Sequence, residues 1–279
     1  MKNADISVLM TTYINDDSEH FKVAFNSILE QTCLPSQIVI VLDGEVNNQV
    51  ISYLEHQQSN ALNIDIDILA LEQNVGLSMA LNKGLEICKC AYIARMDSDD
   101  FSRQDRFQKQ LDYMLSNPSV DMCGTYYEQY DGNLKNRLSM REVPLHGTEL
   151  NKYAKLRTPI NHVTIMFKRS VYLAGIKYPE TRDPFEDWWF ALYFIKGNYV
   201  IHNLPFSSVM VRGGEAFTSR RNGWNYAIVE QKNISMMYQL GLMTLRDRFI
   251  NFVIRFPIRL MPSNLLERFY NTMLREKAQ

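Results

Sequence analysis

Over roughly the first 130 residues, short apolar runs alternate with helix-patterned segments, and that alternation admits few architectures. Ile6 to Tyr13 is apolar and β-prone. Ser18 is placed to cap a helix whose apolar side is Phe21, Ala24, Phe25, Ile28 and Leu29, at helical spacing. Ile38 to Leu42 is a second buried-strand candidate ending at Asp43-Gly44, and a polar helix is expected over Gln49 to Gln58. Ile64, Ile66 and Ile68 alternate with acids in a third strand that ends near Leu71. Leu77 to Cys88 reads as a helix, and Ala91 to Met96 as a fourth strand. Strands separated by helices pair in parallel through right-handed crossovers. In such sheets ligands bind outside the carboxyl ends of the strands.

That rule selects residues. Thr11, Thr12 and Tyr13 follow the first strand, Asp43 the second, Asn74 and Gly76 the third, and Asp97-Ser98-Asp99-Asp100 the fourth. Three carboxylates within four positions repel one another unless something compensates them. A divalent cation held by one or two carboxylates plus substrate phosphates would do so, although a solvated turn uses the same residue types. No Gly-x-Gly-x-x-Gly opens the first helix and no Walker loop is present, so phosphates need another holder.

Composition excludes several classes. A chain of 279 residues fits one large or two modest domains, and a formal charge of −1 gives no electrostatic case for nucleic acid. Cys33, Cys88, Cys90 and Cys123 lack zinc-site spacing and are expected as reduced thiols. Met1 to Asp5 shows no signal-peptide pattern, and no stretch approaches the ~20 apolar residues that cross a bilayer.

In the second half, residues 103–116 are expected as a helix and Val120 to Tyr130 as a strand, followed by an irregular polar stretch to Glu142. Pro159-Ile160-Asn161-His162 precedes a strand expected over Val163 to Phe167, where His162 is open to metal, acceptor or capping roles. Glu186-Asp187 opens the aromatic segment Trp188-Trp189-Phe190; acids suit a helix N-terminus, and a carboxylate beside an aromatic wall also suits a general base. Arg220-Arg221 is either a lid over phosphates or a solvated pair. After Gly241 the chain turns basic and amphipathic: Leu245, Phe249, Phe252, Val253 and Phe256 recur at helical spacing among Arg246, Arg248, Arg255 and Arg259. Such a tail lies in a membrane interface or packs onto the domain or a second subunit.

Taken together, Ser7 to Tyr13, Ile38 to Gly44, Glu72 to Leu77 with Ala80-Leu81-Asn82, Tyr92 to Asp100, Pro159 to His162 and Glu186-Asp187-Trp188 resemble the family 2 inverting glycosyltransferases of bacterial O-antigen and exopolysaccharide synthesis. The order and spacing carry the resemblance, from about residue 5 to about residue 235. Gly44-Glu45-Val46 departs from it, since many relatives have proline after the glycine. The resemblance implies a GT-A fold: a nucleotide-binding, mostly parallel sheet flanked by helices, with a mixed acceptor-side region and C-terminal helices. It implies a transferase domain over 1–240, split near 130 into nucleotide-sugar and acceptor halves, and a tail over 241–279. Thr11, Tyr13 and Asp43 would contact uridine, with Asn74, Gly76, Arg95 and Asp97 nearby and Arg220 and Arg221 closing over the diphosphate. Asp99, with Asp97, would hold Mn²⁺ or Mg²⁺, while Asp100 orients the loop or acts through water. Asp187 would be the base and Glu186 its partner or substitute, with Asn161, His162 and Trp188 toward the acceptor. The implied reaction moves glucose or galactose from a UDP-sugar to GlcNAc or GalNAc on a polyprenyl diphosphate, with a β-1,3 linkage. The expected setting is the cytoplasm, with peripheral inner-membrane contact through the tail and a possible homodimer.

Overall fold

In a computed structural model, residues 3–60, 63–213, 223–261 and 276–277 are described. The first half follows the expected alternation: β1 (Ala4–Thr12), α1 (Ser18–Leu29), β2 (Pro35–Leu42), α2 (Asn48–Asn60), β3 (Asp65–Ala70), α3 (Leu77–Ile87) and β4 (Tyr92–Arg95). Then come β5 (Phe101–Ser102), α4 (Arg106–Ser116), β6 (Met122–Tyr130), β7 (Arg137–Arg141), α5 (Gly147–Ala154), a 3₁₀ turn (His162–Thr164) and β8 (Met166–Lys168). The chain continues through α6 (Arg169–Leu173), α7 (Glu186–Lys196), β9 (Ile201–Arg212), α8 (Trp224–Gln239), α9 (Leu245–Arg259) and the two-residue β10 (Glu276–Lys277).

One sheet runs β10-β7-β6-β8-β4-β1-β2-β3, with β9 joined to both β6 and β5. The β4-β1-β2-β3 portion is parallel, as strand–helix alternation requires. Beyond β4, the β4–β8, β8–β6 and β6–β7 pairings are antiparallel, and β6–β9 is parallel. The fold is a mixed α/β GT-A sheet flanked by helices.

Period-2 alternation in β1 divides the core. Ile6, Val8 and Met10 point to a layer with Phe21, Phe25 and Ile28 of α1, Leu54 of α2 and Phe107 of α4. Leu9 faces the other layer, with Leu81 and Leu85 of α3, Val171 of α6 and Phe190 and Phe194 of α7. A third cluster packs Phe185, Trp188, Trp189 and Leu192 against Ile234 and Met237 of α8.

Several local expectations change. Asp17, not Ser18, caps α1, accepting from the amides of Glu19 and His20 at 2.9 Å each. Ser18 instead donates to Gln49 at 2.6 Å and ties α1 to α2. The stretch expected to be irregular contains β7, because pairing with β6 supplies what its polar sequence does not advertise. The strand expected over Val163 to Phe167 is shortened to β8 by the 3₁₀ turn before it. All four cysteines are free. The described part of the tail packs back: Glu230 of α8 is buried between Arg255 and Arg259 of α9.

Candidate active site

The carboxyl ends of the four parallel strands form one rim. After β2, Asp43 is buried and its carboxylate accepts from Val75 N at 2.7 Å, Gly76 N at 3.0 Å and Asn74 Nδ2 at 3.0 Å. Three donors on one carboxylate fix the loop after β3. Gly44 must be glycine there: its φ is +77°, and a Cβ would stand 2.5 Å from Asn74 N. Gly76, at φ +91°, starts α3 and lies against Arg182, whose Nη2 donates to the Asn74 carbonyl at 2.6 Å. Thr11 is half-buried at the end of β1, and Tyr13 is exposed beside it.

After β4 the acids gather. Arg95 is buried and ion-paired with Asp97. Asp16, missed in the sequence, completes the group: Ser98 donates to its Oδ2 at 2.7 Å and the Tyr13 amide at 3.3 Å. Burial raises the Asp16 carboxyl despite these hydrogen bonds, and Asp97 adds repulsion. Asp99 is exposed to solvent, yet desolvation by the surrounding protein, then Asp97 and Asp16, push it up to about 6. Asp100 is buried and raised well above the usual carboxylate range by desolvation and by Asp97 and Asp99. It accepts from the Arg212 amide at 2.8 Å, and Arg212 Nε donates to the Asp99 carbonyl at 2.5 Å. Asp100 therefore orients the loop through β9.

Arg106 sits under this loop. Fully buried, it donates to the Arg95 carbonyl at 2.7 Å and to Gln110 at 3.0 Å, and burial pulls its pKa down to about 9. A cation at that depth offsets the acids above it.

Across the site, Glu186 and Asp187 form the first turn of α7. Burial, then the adjacent Asp187, push Glu186 up to about 7, while Arg95 pulls it back and Asp97 raises it further. Asp187 Oδ1 accepts from the Trp188 amide at 2.7 Å, and the Asp187 carboxylate acts on Arg141. Tyr178, buried and stacked on Phe190 with centroids 4.0 Å apart, experiences Arg95, Glu186, Asp187 and Asp97 together. Both acidic groups thus face one electrostatic environment.

His162 is half-buried, with Nε2 2.8 Å from the Tyr178 hydroxyl. Desolvation, then Arg95, lower its pKa far below the usual histidine value, so it stays a neutral hydrogen-bonding group. Asn161 is fully buried and donates to the Thr125 carbonyl at 2.8 Å, so β6 occupies its donor. Trp188 is also buried; its indole donates to the Ala154 carbonyl at 2.6 Å and Arg255 lies over its ring at 5.1 Å. Neither side chain presents a free face to the rim. Arg220 and Arg221 lie outside the described residues; the chain leaves β9 beside the Asp99–Asp100 loop and is described again from Gly223. Arg141, Arg182 and Arg212 join the site from segments without a local motif, so only Asp16, within Asn15-Asp16-Asp17 after β1, offered a sequence signal.

Among the described residues no three His, Cys, Asp or Glu side chains converge as a ready cage for a metal. Asp97 is engaged with Arg95, which leaves Asp99 as the open carboxylate. One carboxylate, with phosphates and water completing the shell, suits hard divalent cations that keep several non-protein ligands.

The profile of Glycosyl transferase family 2 matches residues 7–174. The amylovoran biosynthesis glycosyltransferase AmsE of Erwinia amylovora is 32% identical over 268 residues, covering 95% of this chain and 97% of that one. An Escherichia coli UDP-Gal:α-D-GlcNAc-diphosphoundecaprenol β-1,3-galactosyltransferase is 30% identical over 269 residues, 96% of each chain. Staphylococcus aureus TarS 1–349 in complex with UDP-GlcNAc superposes with a TM-score of 0.60 at 19% identity, over 85% of this chain and 66% of that chain, a likeness of fold. With the strand-end rim and its two facing acidic groups in place, these matches make the chain a member of glycosyl transferase family 2.

Proposed function

We propose that the protein transfers glucose or galactose from a UDP-sugar to GlcNAc or GalNAc on a polyprenyl diphosphate, with inversion and a β-1,3 linkage, in O-antigen or related polysaccharide assembly. The observation that carries the reading is the shared environment of Asp97 and Glu186 across Arg95, with donor-side and acceptor-side acids facing each other. The activity of the Escherichia coli galactosyltransferase relative supports the sugar, carrier and linkage classes.

The uracil and ribose lie over the rim of Thr11, Tyr13 and Asp43, with Asn74 and Gly76 shaping the loop that Asp43 holds. Arg182, anchored on Asn74, supplies positive charge on the α7 side of that loop. Asp99 would hold Mn²⁺ or Mg²⁺, with Asp16 and Asp97 beside it; bound there, the cation would neutralise the diphosphate as it departs. Arg220 and Arg221 are candidates to cover the diphosphate.

At the acceptor side, Asp187 takes the proton of the sugar hydroxyl as the oxygen attacks the anomeric carbon. Its Oδ1 is held by the Trp188 amide, and Arg141 balances the charge. Glu186, with a pKa near 7, adjusts the local potential as it titrates. The His162–Tyr178 pair lines the same region, where burial and Arg95 keep the imidazole neutral. Transfer to a bare polyprenyl phosphate is the second reading. The base pair favours the first, since a phosphate acceptor is already ionised and needs no proton removed.

The test incubates purified protein and divalent cation with UDP-glucose or UDP-galactose and a GlcNAc-diphosphate-lipid. Release of UDP with a new β-1,3-linked disaccharide is the expected result. Turnover only on polyprenyl phosphate, or none on either acceptor, would reject the first reading.

A further inference from the structure

The α8–α9 hairpin has two unlike sides. Its inner side joins the two helices through buried Glu230 between Arg255 and Arg259, and it is locked to the domain by Asn233, which accepts from the Trp189 indole at 2.8 Å and donates to Asp183 at 2.8 Å, and by Asn251 donating to the Lys155 carbonyl at 2.8 Å. Its outer side is apolar and open. Trp224 and Ile228 of α8 align with Leu245, Phe249 and Phe252 of α9, and Trp224, Leu245 and Phe249 each leave more than three-fifths of their surface in solvent. Between the helices runs a groove of about 370 Å³, lined by Gln231, Ser235, Leu245, Arg248, Phe249 and Phe252.

We infer that this outer face docks on an anionic phospholipid surface, with Phe249, Phe252 and Trp224 entering the headgroup–acyl boundary and Lys232, Arg246 and Arg248 on the phosphates. Charge selects this occupant. The hairpin carries only two acids, and both are engaged: Glu230 is buried in its ion triad, and Asp247 caps α9 and pairs with Lys155. Lys232, Arg246 and Arg248 remain exposed. A two-fold pairing with another copy would set those cations against themselves, which disfavours a dimer through this face. Bulky apolar groups beside exposed cations match an interfacial helix pair, and each basic residue strengthens attachment to anionic lipid. The inference rests in part on the lipid-linked acceptor proposed above. Trp189 and Asp183 flank the Glu186–Asp187 turn, so the hairpin that carries the docking face is also tied to the segment that carries the acids.

The test is cosedimentation of the full chain with phosphatidylcholine vesicles, with and without phosphatidylglycerol. Binding is expected only with the anionic lipid, weakened about 30-fold by Arg246→Gln with Arg248→Gln. Phe249→Ser should cause a comparable loss. Arg246→Gln alone serves if another variant does not melt cooperatively, since its side chain is solvent-exposed. Equal binding to both vesicle types, no binding, or variants indistinguishable from wild type would overturn the inference. So would a wild-type dimer that Phe249→Ser dissociates. Turnover on a short-chain soluble acceptor separates the two readings: its absence, with anionic vesicle binding intact, rejects the transferase reading and leaves this one standing.

Discussion

The two acidic groups differ in what holds them. The group proposed for the donor, Asp16, Asp97, Asp99 and Asp100, hangs from the ends of β1 and β4, one strand spacing apart in the parallel sheet. The group proposed for the acceptor, Glu186 and Asp187, begins a helix fixed by distant segments. Asn82 of α3 and the Tyr178 backbone exchange hydrogen bonds of 3.0 and 2.9 Å, and Asn233 of α8 reaches Asp183. Desolvation and like charge raise carboxyl pKa values in both groups. What separates them is the compensation: buried Arg95 and Arg106 serve the donor side, and Arg141 the acceptor side. One group is built by topology and the other by tertiary contacts, so they should respond differently to substitution.

The largest expected effect is Asp187→Asn, which should lower turnover about 10³-fold, as loss of a general base does, while UDP affinity stays within about twofold. Isothermal titration beside a UDP-release assay measures both, and near-normal turnover would remove Asp187 from the base role. Asp99→Asn should instead abolish divalent-dependent UDP binding, so affinity distinguishes the donor group from the acceptor group.

The same substitution should stabilise the ligand-free protein. A folded pKa of about 6 against the ordinary 3.8 means that ionising Asp99 disfavours the fold, a cost complete above about 6 and absent below 3.8. Asp99→Asn should therefore gain about 1 kcal/mol at pH 7.5, after screening at this open position, and nothing in acid. Thermal melts across pH read this, and equal melts at pH 7.5 would contradict the repulsion.

Glu186→Gln should act through pH. With Glu186 near 7, wild-type kcat is expected to rise as pH climbs through that value, because ionised Glu186 adds negative charge beside the attacking hydroxyl. The variant should lose that limb, and a retained limb would assign it elsewhere. Asn82→Ala should leave the chemistry least changed: it removes the paired hydrogen bonds to Tyr178 and should cost about 1–2 kcal/mol by denaturant melting.

Legibility differed along the same line. Alternating apolar runs located β1 to β4 and α1 to α3 because each side chain's face depends on local period alone. The donor-side acids were readable because strand ends define the crevice. Glu186-Asp187 was visible as a motif, yet its partner Arg141 lies in β7, whose polar sequence hid a strand until β6 paired with it. Arg106 and Arg212 gave no signal, since Arg106 acts from beneath the loop on the Arg95 carbonyl and Arg212 reaches Asp99 from 113 residues away. Trp188 was expected toward the acceptor; in the fold it is buried, with its indole on the Ala154 carbonyl and Arg255 over its ring, contacts its position in the motif does not encode.

By itself the sequence determined the parallel half, the crevice and the two acidic motifs, because periodicity and strand ends are local properties. Only the tertiary structure decided that Asp43 braces the Asn74–Gly76 loop, that Arg95 lies between Asp97 and Glu186, and that the basic tail folds back as a hairpin with one open face. Those outcomes depend on which distant backbone meets which carboxylate, and no local pattern encodes that meeting.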